Sequence, residues 1–184
     1  MSVILGFAPF IAFFALSSLI SPLAGLAAAF AISLIMTGLN WKRGKSFKIL
    51  DVGSLVLFGS ITLTILVAAP YWSVGEVGLA VNGGLTLISV LSLAIGRPFT
   101  LQYAKEQIPK QYWNTPLFIR TNQLITIVWT LAFAISTGAT AASIYLPRIP
   151  HWLDITVAIA GLAVAIWFTR WYPALVRRSR SGTV

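Results

Sequence analysis

Apolar residues fall in six long blocks along this chain, and the few polar and basic positions stand between them. A helix of about 20 apolar residues, within a range of about 17–25, crosses the hydrocarbon core of a bilayer. The blocks predict helices at about 3–20, 22–39, 50–69, 77–95, 116–145 and 152–172. Proline and glycine punctuate them. Ser21-Pro22 ends the first and opens the second, because Pro cannot continue a helix but suits its first turn; the pair reads as a tight hairpin. Trp41 to Lys48 forms a basic loop, Pro70 to Glu76 a short turn, and Gly96-Arg97-Pro98 stops the fourth helix. Thr115 is the expected N-cap of a fifth helix opening at Pro116. Pro147 and Pro150 mark the last turn. The fifth block is long, about 45 Å at about 1.5 Å per residue. Its first turns carry Arg120, Asn122 and Gln123, which are expected to project into the headgroup zone.

Composition makes the bilayer the natural solvent. Of 184 residues, 58% are hydrophobic and 9% are charged, against about 25% charged in a soluble domain. The length suits one transmembrane domain over residues 1–184, with a basic tail at 173–184. Residues 3–20 have no basic region before them and no cleavage site after them, so they read as a retained span. Cys is absent, which removes disulfide and thiolate chemistry.

Charge adds the orientation. Lys42, Arg43, Lys45 and Lys48 form one basic cluster. Arg97, Lys105, Lys110 and Arg120 form a second, and Arg170, Arg177, Arg178 and Arg180 a third. Only Arg148 stands apart. With six spans all three clusters fall on one side, and basic loops stay cytoplasmic. Trp41, Trp72, Trp113, Trp152 and Trp171 sit near predicted span ends, the depth that amphipathic rings prefer. Trp129 is mid-span and is expected to pack inside. The expected fold is an all-α integral membrane protein, a bundle of six transmembrane helices with both termini cytoplasmic. A short interfacial segment is expected between helices 4 and 5, where Pro98 opens a short helix ending before Pro109. The net charge of +9 is spread along span ends rather than over a polar face, which points to anionic headgroups and away from nucleic acid.

Candidate chemistry is sparse. The one His, His151, adjoins Pro150 and Trp152 in a turn and reads as an interfacial ring; alone it builds no usual metal site. Asp51, Glu76, Glu106 and Asp154 lie at span ends, and no ionisable residue lies near the centre of a span. No catalytic residue, cofactor or metal ligand is assigned. Candidate interaction or polar-site residues are Asp51, Asn82, Arg97, Tyr103, Trp113, Arg120 and Asn122. Asp51 opens a helix, where negative charge is favourable by about 0.3–1 kcal/mol. Asn82 suits a bond across helices. Small residues at Ala24 and Ala28, Gly25 and Ala29, and Gly161 and Ala165 mark close-packed faces, within one chain or in a homo-oligomer. Gly83-Gly84 reads the same way, and replacing Gly59 with Leu is expected to disrupt packing.

Several strings together resemble the bacterial intracellular septation protein A family. They are Phe7-Ala8-Pro9-Phe10-Ile11-Ala12-Phe13-Phe14-Ala15, Phe58-Gly59-Ser60-Ile61-Thr62-Leu63 and Arg97-Pro98, followed by Trp113, Asn122 and a Trp- and Phe-containing span. The resemblance implies a multi-pass protein of the bacterial inner membrane. It would support septation or envelope synthesis through contacts with division or wall-synthesis membrane proteins, with no catalysis. Two other readings stay open: a small transporter or channel with a polar path near Asn82, Ser60 and Thr62, and a lipid- or isoprenoid-modifying enzyme using Arg97 and Arg120.

Overall fold

The computed structural model describes residues 3–44, 46–68, 71–146 and 149–181. Lys45, Pro70, Pro147 and Arg148, each given weight above, lie outside the described residues, as do the side chains of His151 and Arg180. The described chain is all-helical: α1 (Val3–Gly6), α2 (Ala8–Leu19), α3 (Pro22–Lys42), α4 (Ile49–Val67), α5 (Val74–Ala94), α6 (Phe99–Lys105), a 3₁₀ turn (Lys110–Tyr112), α7 (Pro116–Tyr145) and α8 (His151–Ser181). Five of these, α3, α4, α5, α7 and α8, are long and apolar enough to cross a membrane. The chain is therefore a multi-pass membrane protein by the length and composition of its helices.

The helix ends follow from local chemistry. The Ser21 hydroxyl accepts from the Ala24 amide at 3.2 Å, and Pro22 fills the first turn of α3. At α5, Ser73 and Glu76 cap reciprocally: the Ser73 amide donates to Glu76 Oε2 at 2.7 Å and the Glu76 amide donates to Ser73 Oγ at 3.2 Å. That Ser-x-x-Glu box starts α5 three residues ahead of the expected Val77. Gly96, at φ +68°, takes the left-handed position that ends α5. Its amide donates to Leu93 O and that of Arg97 to Ser92 O, a Schellman closure followed by Pro98. Thr115 does precede α7, but its hydroxyl donates backward to Tyr112 O at 2.8 Å instead of capping forward.

Two expectations need correction. The first apolar block is not one continuous helix. It breaks at Phe7 into the four-residue α1 and the twelve-residue α2. Pro9 is the physical cause: it has no amide to donate to Leu5, and its ring crowds that carbonyl. The last block does not stop near Tyr172. α8 carries Pro173 within it and stays helical to Ser181, so its basic residues stand on a helix and not on a loose tail.

The chain divides into two compact units, residues up to Ile88 and residues from Ser89 onward. In the first, α2 and α3 pack as a hairpin and α3 packs on α4. A Cβ added at Gly25 would come within 2.7 Å of the Phe13 carbonyl oxygen and would overlap the Ser17 hydroxyl, so only glycine permits this approach. At Gly59 it would meet the Phe30 ring at 3.0 Å, and at Gly84 it would overlap Leu57. Phe10, Phe13 and Phe58 share the core, with ring centroids 5.0 Å apart for Phe10–Phe58 and 5.9 Å for Phe13–Phe58. In the second unit, α7 packs against α8 and α6. Trp129 is buried as expected, between Phe99 and Phe133.

Candidate functional site

Polar side chains gather at two places, one in each unit. In the first unit the α3–α4 connection turns back on itself. Asn40, in the last turn of α3, donates its Nδ2 to Asp51 Oδ2 at 2.8 Å, and both residues are buried. Asp51 stands in the first turn of α4, where the helix dipole favours its negative charge. Lys48, directly before that helix, is only 2% exposed although it belongs to a basic loop. The Ser54 hydroxyl, one turn beyond Asp51, donates to the carbonyl of Leu50. Hydrogen bonds to charged groups contribute about 1.5–3 kcal/mol, and stranding a buried charge costs more. The cluster is a polar clamp that fixes the geometry of the loop.

In the second unit a chain of hydroxyls links the end of α5, α6 and α7. Ser92 Oγ accepts from the Phe99 amide at 3.3 Å and donates to Ser89 O at 2.7 Å. Ser89 Oγ lies 2.6 Å from Thr130 Oγ1, which donates to Thr126 O at 2.8 Å; with its one proton spent there, Thr130 accepts from Ser89. Thr100 Oγ1 and Thr126 Oγ1 are 2.7 Å apart, each also 2.9 Å from the Asn122 carbonyl oxygen. The Asn122 side chain donates to Phe118 O at 2.8 Å. The chain fastens α6 to α7, and these groups meet protein partners rather than an open path.

The short segment expected between helices 4 and 5 packs one face on the protein. A short helix does follow Pro98, but Phe99, Thr100, Leu101 and Tyr103 are buried. Phe99 and Tyr103 are four residues apart, so one helix face carries both rings inward. What remains outward is its basic end. Lys105 Nζ sits 5.4 Å from the centroid of the Trp113 ring, and Trp113 Nε1 donates to Ile108 O at 2.8 Å.

The candidates named from sequence therefore scatter. Asp51 joins the first cluster and Asn122 the second. Tyr103 is buried on α6, and Trp113 is half-buried beside Lys105. Arg97 and Arg120 are exposed. Asn82 is half-buried in α5, its carbonyl accepting from Thr86. Ser60 and Thr62 donate to carbonyls of their own helix at Leu57 and Phe58. Sequence reading missed Asn40, Lys48, Ser92 and Thr100. The available signal for Asn40 was an amide in the last turn of one helix, with a carboxylate opening the next. Among the described residues no three of His, Cys, Asp and Glu come together as a metal site would need.

A third feature lies on α8. Trp167 and Trp171 stack at 5.0 Å and 12°, and Phe168 and Tyr172 at 5.1 Å and 9°. Ala163, Ile166, Trp167, Arg170 and Trp171 line an open depression of about 510 Å³. No family model, no curated protein and no solved structure matches the chain.

Proposed function

We propose that this chain is a six-span protein of the bacterial inner membrane, a divergent relative of the septation protein A family. It supports septation or envelope synthesis through contacts with other membrane proteins. Both termini face the cytoplasm, and the three basic clusters meet anionic headgroups there. The sixth crossing is α1 and α2 together, Val3 to Leu19, at the short end of the spanning range.

The observation that carries this reading is how the polar groups divide. Several of those inside the two units fasten one helix to another: Asn40 to Asp51, Thr100 to Asn122, Trp129 to Thr169. Others bond within their own helix, and the buried Ser17 and Ser33 hydroxyls have no partner among the described residues. Trp41, Trp152, Arg97, Arg120 and Arg170 at or near helix ends are exposed, whereas Lys48 and Tyr103 turn inward. Such a surface suits contacts rather than turnover. The family reading draws further support from Phe10, Phe13 and Phe58: two of the strings that carry the resemblance pack on one another.

Two measurements test it. A reporter fused after Val184 is expected to be active only in the cytoplasm; periplasmic activity would overturn the orientation. Photocrosslinkers at the exposed positions Gln107, Lys110 and Gln111 are expected to capture a division or wall-synthesis membrane protein in cells. Recovery of lipid alone would overturn the contact role.

A further inference from the structure

α8 has two unlike faces. One turns toward α7. A Cβ at Gly161 would lie 3.4 Å from that of Ala132, Ala165 is fully buried, and Thr169 accepts the Trp129 indole N–H at 2.9 Å. At 100° per residue, Arg170 stands half a turn around the axis from Gly161. Ala163, Ile166, Trp167, Ala174 and Arg177 share its side. That outward face has an order along the axis. It is apolar at Ala163 and Ile166, aromatic at Trp167 and Trp171, and basic at Arg170, Arg177 and Arg178.

A phospholipid has the same order from acyl chain through glycerol to phosphate. Indole rings favour the glycerol and carbonyl depth, and a guanidinium binds phosphate oxygens in pairs. Trp167 is 57% exposed and borders the depression at Ala163 and Ile166. Arg177 Nε donates to Pro173 O at 3.3 Å, which folds this side chain back one turn toward the level of Arg170.

We propose that the outward face of α8 seats one anionic phospholipid. Its acyl chain lies along Ala163, Ile166 and Trp167, and its phosphate meets Arg170 with Arg177 beyond. A second copy of the chain is the poorer occupant. A parallel two-fold pairing on this face would set Arg170 against Arg170, and like charges so placed are repulsive. The seat deepens the headgroup role proposed above and rests on the end of α8 lying at the cytoplasmic interface.

The test uses the full chain, purified, stripped of lipid and titrated with phosphatidylglycerol or phosphatidylcholine under native mass spectrometry. The wild type is expected to hold one phosphatidylglycerol with a preference of about tenfold over phosphatidylcholine. Arg170→Gln is expected to lower that preference about fivefold and Arg177→Gln by less. Arg43→Gln removes an equal charge from the α3–α4 loop and is expected to lower that preference far less than Arg170→Gln does. Trp167→Ala is expected to weaken both lipids equally. Elution volume and circular dichroism confirm that each variant is folded. Equal binding of the two lipids by wild type would overturn the seat. So would an equal effect of Arg170→Gln and Arg43→Gln, or a dimer that lipid does not disperse. The C-terminal reporter separates the two proposals: selective binding with a periplasmic terminus sinks the orientation alone, and a cytoplasmic terminus without selectivity sinks the seat alone.

Discussion

Helices α7 and α8 look alike by hydropathy and differ in how they are used. Over an apolar stretch of 18 residues in each, the mean hydropathy is 1.7 in α7 and 1.8 in α8, yet 39% of that stretch is buried in α7 against 6% in α8. The difference lies in the small polar residues. Along α7, Asn122, Thr126, Ser136, Thr140 and Ser143 are buried at helical spacing with Trp129 and Phe133. Each of those hydroxyls donates to a carbonyl of α7 itself, so a polar side chain adds little bulk and needs no water. Neighbours can then approach closely. Along α8 the packed stripe is narrow, Gly161, Ala165 and Thr169, and the remaining apolar surface is turned outward. Hydropathy therefore reports a span, while the spacing of Ser, Thr and Gly reports which face another helix will cover.

That contrast can be broken or sharpened by substitution, with stability read from reversible unfolding in detergent micelles. The largest effect is expected at Trp129. Trp129→Ala opens a cavity between Phe99 and Phe133 and should cost about 3–5 kcal/mol, whereas Trp167→Ala on the outward face of α8 should stay within about 0.5 kcal/mol. Equal losses would mean that α8 is as deeply packed as α7. Gly161→Leu comes next. It drives a side chain against Ala132 and should cost about 1–3 kcal/mol, while Val164→Leu, exposed on the same helix, should be near neutral. The smallest effect is expected at Thr169→Val, which leaves the Trp129 indole without its acceptor. A loss of about 0.6 kcal/mol is expected, and none in Trp129→Phe, where no N–H remains to satisfy. A loss of similar size in both backgrounds would assign the role of Thr169 to shape and not to the hydrogen bond.

How much of this could be read beforehand depended on whether the information was local. α7 runs from Pro116 to Tyr145, as its flanking turn residues predicted, and Ser21-Pro22 and Gly96-Arg97-Pro98 acted as punctuation because caps involve only neighbours in sequence. Pro9 was local too, but its apolar surroundings hid it; hydropathy counts proline's bulk and not its missing amide. Pro173 shows the reverse. α8 continues through it, because the Thr169 carbonyl it frees is one lost backbone bond among the many of a 31-residue helix. Burial of Lys48, and of Phe99 with Tyr103 on α6, was not legible. A basic loop and an aromatic helix both read as surface, and only the position of another helix brings them inside. The clamp of Asn40 on Asp51 spans eleven positions and depends on where α3 ends, which composition does not encode.

The contact of Gly25 with Phe13 carries a consequence for biogenesis. Twelve residues of α2 reach about 18 Å, too short to enter a hydrocarbon layer of about 30 Å alone. On the six-span proposal α2, which lies backbone to backbone against α3, would enter the lipid together with it as one hairpin. A bulkier residue at position 25 would pry them apart at that moment, and the damage would register as failed insertion of the N-terminal segment before any tertiary fold existed to be weakened.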